Sequence, residues 1–236
     1  MDDSLRTIAL DRAFEMLGAD KKLWLFGMAH LSDLETSDGP SDDDFVQVIE
    51  AAQRESGFPS GPVAYIPNGF TQEVEPDFRM VSLRPPGALN LEMKLGLGIA
   101  GFVAVGLARD DLFEDGVTRP GGVLLSDFES VIADTYALTA ATAEATAYTG
   151  PVDVAFTILR GENLPPCTLY SLDHETGEFV VENSELRRFE PLTASYVITE
   201  PVSAAGSAHM SESMNKVASR LARRFNQSRP QLLPDA

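Results

Sequence analysis

One cysteine, three histidines and half as many bases as acids leave this 236-residue chain short of several chemical tools. A lone Cys167 excludes a disulfide framework within the chain and a zinc site built from cysteines alone. Basic charge is scarce, with 18 Lys and Arg against 36 Asp and Glu and a formal net charge of −18. A surface of that sign is a poor match for nucleic acid or anionic lipid, so neither double-stranded DNA nor a membrane is an expected partner. The apolar, glycine-rich run 95–108 is 14 residues long, short of the ~20 that span a bilayer. No apolar stretch follows a basic start, so a signal peptide is not expected and a cytoplasmic location is.

What is present suits a folded core. Hydrophobic residues make up 44% and aromatics 8%, and this length suits one large domain or two small ones. The charge is uneven. Residues 1–60 hold 13 acids and five bases, whereas residues 207–236 hold two acids and five bases. Ends of opposite sign permit docking within one chain or between two, so a homodimer or another protein partner is expected.

Periodicity places the elements. Residues 4–17 carry Ile8, Leu10, Phe14 and Leu17 near one helical face, with Gly18 as a stop. LWLFGMA (23–29) is short and apolar, better as a buried strand than a helix. An acidic loop (30–44) follows, then a helix with Phe45, Val46, Ile49 and Ala52 in a stripe behind a capping-box-like Ser41 and Asp44. FRMVSLR (78–84), Pro85-Pro86-Gly87 and ALNLEMKL (88–95) read as an antiparallel hairpin. Leu89, Leu91, Met93 and Leu95 alternate with Asn90, Glu92 and Lys94, which buries one face only. Ser126 and Glu129 match a capping box that opens a long Ala/Thr-rich helix ending before Gly150-Pro151. Residues 152–160 alternate as a half-buried strand, 167–172 with 178–183 form a hairpin, and 195–199 form a further strand. The last helix (208–228) puts Met214, Val217, Leu221 and Phe225 on one face. The expected fold is therefore α+β, an antiparallel sheet with helices packed on one face. Its portions are 1–77 (α/β), 78–229 (α+β, with or without continuity between the two) and a flexible tail, 230–236.

No motif names an activity. Gly96, Gly98 and Gly101 spell G-x-G-x-x-G after a strand, but that strand alternates with polar residues and no acid ends a second strand ~20 residues later. Close backbone packing is the expected role of these glycines. Asp33, Glu35, Asp38, Asp42, Asp43 and Asp44, with His30 before them, could ligate a hard cation, yet their spacing is not that of an EF-hand. His30, His174 and His209 form no zinc signature, and Cys167 has no histidine at near spacing. Lys216, Arg220, Arg223 and Arg224 form a basic stripe, expected as a solvated or intramolecular docking face. No cofactor, no metal and no catalytic residue is assigned.

From residue 78 the order of features carries a resemblance. An S-L-R-P-P-G hairpin, a long helix before Gly150-Pro151-Val152-Asp153-Val154, then Leu159-Arg160-Gly161, Glu185-Leu186-Arg187-Arg188-Phe189 and a Leu/Arg-rich closing helix follow one another. Residues 78–229 thus resemble the C-terminal region of actinobacterial proteins whose N-terminal part is a Schlafen/AlbA-like region associated with DNA and ATP. That N-terminal region is not recognisable in residues 1–77, and no functional residue carries over. The resemblance implies an accessory or regulatory domain. The expected function is a non-catalytic interaction or regulatory module. The alternative is an acidic-loop, metal-assisted hydrolase-like enzyme.

Overall fold

The computed structural model describes residues 11, 13, 15, 17–32, 34, 42–55, 61–67, 73–75, 78–84, 91–98, 101–109, 111–114, 117–173, 175–200 and 208–233. In chain order these form β1 (Trp24–Leu31), α1 (Asp42–Glu55), a 3-10 turn (Pro62–Tyr65), β2 (Glu73–Glu75), β3 (Phe78–Leu83), β4 (Leu91–Gly98) and β5 (Phe102–Arg109). There follow β6 (Asp111–Glu114), β7 (Val117–Pro120), β8 (Gly122–Leu124), α2 (Leu125–Ala145) and β9 (Gly150–Leu159). The last elements are β10 (Cys167–Leu172), β11 (Phe179–Leu186), β12 (Leu192–Ile198) and α3 (Ala208–Arg224).

Seven strands join in the order β12-β9-β1-β5-β4-β3-β2, every neighbouring pair antiparallel. The fold is α+β, as expected. β1 lies between β5 and β9, so residues from the N-terminal portion run through the middle of the sheet. The boundary at 77/78 therefore separates two neighbouring strands of one sheet. A smaller sheet, β11-β10-β8, and the β6–β7 hairpin complete the strands.

Period two does what the sequence suggested in β4. Leu91, Met93, Leu95 and Leu97 are buried on the helical side, while Glu92 and Lys94 point to the other face. Leu89 lies outside the described residues. On the helical side α2 crosses β1 and β5, with α1 and α3 beside it. The match is tight. A Cβ on Gly27 of β1 would fall 2.2 Å from the Thr135 Oγ1 of α2, so only glycine permits this approach.

The opposite face is not simply wet. Trp24, Phe26 and Met28 of β1 pack there with Ala13, Leu17, Ala108 and Ala155. Residues 11, 13, 15 and 17 are helical; Ile8, Leu10 and Phe14 lie outside the described residues. This second cluster, which takes in Ala155, corrects the half-buried reading of β9; Thr157 is buried as well and donates to the Phe189 carbonyl at 3.4 Å. In α1 the buried stripe is Phe45, Val48, Ile49 and Ala52, with Val46 only half-buried. Asp111–Glu114 and Val117–Pro120 pair as the β6–β7 hairpin.

Two end effects differ from expectation. Leu124 is the N-cap of α2 and makes no side-chain capping bond, so Ser126 and Glu129 form no capping box. Glu129 instead accepts the backbone N–H groups of Gln231, Leu232 and Leu233 in the C-terminal segment. The flexible tail expected from residue 230 begins docked, with Pro230 and Leu233 buried. Residues 234–236 lie outside the described residues.

Candidate functional site

The side chains that could carry chemistry are concentrated on α2. This helix is buried on nearly every side, and its polar groups are bonded within the protein. Thr135, Thr139 and Thr142 donate to the carbonyls one turn back at 2.7, 2.6 and 2.8 Å, which lets an Ala/Thr-rich helix bury its hydroxyls. Tyr136 Oη lies 2.8 Å from the Ser213 Oγ of α3, and burial raises its phenol far above its ordinary value.

Three carboxylates on α2 have defined partners. Asp127 receives a two-pronged bond from Arg109, Nε at 2.9 Å and Nη2 at 3.0 Å. Burial raises its carboxyl above the ordinary range, and the Arg109 guanidinium draws it part of the way back. Glu129 is fully buried and accepts three backbone N–H bonds, from Gln231 at 2.8 Å, from Leu232, and from Leu233 at 3.1 Å. Burial raises its carboxyl too, against the lowering effect of those amides. Asp134 is also fully buried; its Oδ2 accepts the Val63 N–H of the 3-10 turn at 2.7 Å. A Cβ on Gly61 would lie 2.4 Å from that oxygen.

The glycine motif is structural. Gly96 and Gly98 lie within β4 beneath the Phe78 ring, and a Cβ on Gly96 would fall 1.9 Å from that ring. Gly101 has φ +71° in the turn to β5, a conformation that favours glycine. No helix follows, so the backbone forms no phosphate-binding helix N-terminus.

The histidines do not converge. His30 stacks on Phe102 with ring centroids 4.5 Å apart and meets Ser32 Oγ at 3.4 Å. His209 is exposed at the start of α3, and His174 lies outside the described residues. Of the acidic loop, Asp44 is exposed in the first turn of α1, where negative charge suits the helix dipole. Asp33, Glu35, Asp38 and the side chains of Asp42 and Asp43 lie outside the described residues. Among the described residues no three His, Cys, Asp or Glu are grouped so that they could hold a metal. Cys167 is buried and its thiol donates to the Leu186 carbonyl at 3.3 Å. Burial pushes that thiol up to about 11 although the Arg160 charge works the other way, so it stays protonated.

The basic stripe of α3 is used within the chain. Arg220 donates to the Thr193 carbonyl at 2.6 Å, Arg224 sits 5.6 Å from the Phe189 ring centroid, and Lys216 pairs with Glu212 at 2.6 Å. Arg223 is exposed.

Among the described residues, two surface clefts stand out. One, about 570 Å³, lies between β10, β11 and the segment after α3. Its polar groups bond one another: Gln227 donates to Glu182 at 2.6 Å and to Ser171 at 3.2 Å, and Ser171 donates to Glu182. The other, about 280 Å³, is lined by Arg160, Arg187 and Arg188 together with the buried Cys167. Sequence reasoning missed this basic cleft and the role of Glu129. Arg160 and the Arg187-Arg188 pair stand out only as fragments, because the approach of the β9 and β11 ends is what joins them.

No family model, no curated protein and no solved structure matches the chain. No described helix is long and apolar enough to cross a membrane.

Proposed function

We propose that the chain is a non-catalytic interaction or regulatory module, with a second copy or another protein as its partner, working in the cytoplasm. One observation carries this reading: the buried carboxylates of α2 are bonded to fixed structural partners. A general acid or base must exchange its proton with substrate within hydrogen-bond reach. Asp127, Glu129 and Asp134 would have to release Arg109, the C-terminal amides or the 3-10 turn to do so. The resemblance of residues 78–229 to an accessory region supports the same reading. The acidity of the chain favours partners other than double-stranded DNA.

The test sets the module against the acidic-loop hydrolase. Wild type and Asp44→Asn are assayed on ester and phosphoester substrates with Mg²⁺, Mn²⁺ or Zn²⁺, and light scattering reports assembly up to ~100 µM, well above ordinary micromolar contacts. The module reading expects no turnover above background in either protein. Metal-dependent turnover that Asp44→Asn abolishes would overturn it. A monomer throughout that range would exclude the second copy and leave another protein as partner.

A further inference from the structure

The smaller cleft stands out by its charge. The chain as a whole carries −18, yet Arg160, Arg187 and Arg188 converge here with a single acid, Glu162, among the lining residues. Arg160 follows the end of β9, and the Arg187-Arg188 pair follows β11. Its guanidinium is aimed by backbone. Nε donates to the Arg187 carbonyl at 3.3 Å, and Nη1 donates to the carbonyls of Leu164 and, at 2.7 Å, of Pro165. Nη2 has no partner among the described residues, so a fixed donor remains for a ligand.

The other two arginines are available. Arg187 is exposed, and its side chain has no partner among the described residues. Among the described residues Arg188 meets only Glu190, at 3.4 Å and with both side chains largely exposed, a contact of the kind that contributes little. The lining Cys167 thiol donates to the Leu186 carbonyl and adds no negative charge.

We propose that this cleft binds a phosphate monoester, the dianionic group of a phosphorylated small molecule or side chain. Three arginines lining one small cleft suit a compact dianion with several acceptor oxygens, whereas one carboxylate is served by one fork. Holding Arg160 in place beforehand lowers the cost of ordering it on binding. The proposal rests on reading the chain as a binding module and gives that module a ligand chemistry.

Titration calorimetry at constant ionic strength tests it, with O-phosphoserine and AMP as separate probes. The full chain is compared with the double variant Arg187→Gln/Arg188→Gln, whose fold circular dichroism checks. Saturable binding at millimolar Kd or tighter is expected, weakened about tenfold or more in the variant. Binding of O-phosphoserine alone points to a phosphorylated side chain, of AMP alone to a nucleotide, and of both to the phosphate group itself; each supports the site. No saturation by either probe, or equal affinity in the folded variant, would overturn it. That failure differs from failure of the module reading, which metal-dependent turnover would reveal.

Discussion

Helices α2 and α3 solve the same packing problem in opposite ways. α3 is one-sided: Val217, Leu221 and the following Phe225 are fully buried against its own chain, while Glu212, Lys216 and Arg223 are exposed. α2 has no outward face over most of its length, so its polar side chains need partners inside the protein. A one-sided helix is held by apolar area and tolerates change on its far side. An enclosed helix is held as much by satisfied polar groups, and each is a point of failure.

The comparison predicts where substitutions hurt. Phe225→Ala, which empties the apolar side of the α3 end, should cost about 3–5 kcal/mol in urea unfolding. Glu129→Ala should come next, at about 3 kcal/mol or more, because three amides, that of Leu233 buried, lose their charged acceptor. A loss as small as that of an exposed side chain would place Glu129 outside the core of the account. Tyr136→Phe, which removes the bond between the two helices, should cost about 1 kcal/mol. On the outer side of α3, Glu212→Ala should leave the thermal midpoint unchanged.

The pH dependence sharpens the contrast between the two faces of the sheet. Burial raises Glu129 above its ordinary 4.5, so its contribution is fully present below 4.5 and is lost as pH rises through the folded value. Stability of wild type minus Glu129→Gln should therefore grow as pH falls from 7 towards 4.5. On the opposite face partial burial works to raise Glu92, but Lys22 at 2.8 Å, with Arg84 and Lys94, brings its carboxyl below 4.5. Its contribution is present above 4.5 and is lost as pH falls through the folded value. Wild type minus Glu92→Gln should shrink on acidification. Two differences of the same sign would break the comparison.

The sequence made α3 legible and left most of α2 hidden, for a physical reason. Apolar spacing along one helix or strand is local, so Val217 and Leu221, or Met93 and Leu95, announce their burial. The same holds for the β10–β11 hairpin, whose strands adjoin in sequence. Glu129 looked like a capping residue because Ser126 precedes it by three, but its partners lie 102–104 residues away. The capped faces of β9 were equally hidden, since the second apolar cluster comes from the far end of the chain. Of the candidate sites, the structural role of the glycines could be read from the polar alternation before them. The basic cleft could not, because it forms where β9 and β11 end together.

The claim at the centre of this account is that the buried acids of α2 hold the fold together. Native-state hydrogen exchange at the amides of Gln231, Leu232 and Leu233 tests it most directly. All three should be protected in the wild type and exchange much faster in Glu129→Ala, while amides in the middle of α2 keep measurable protection. Exchange of these three amides at unfolded-chain rates in the wild type would contradict it.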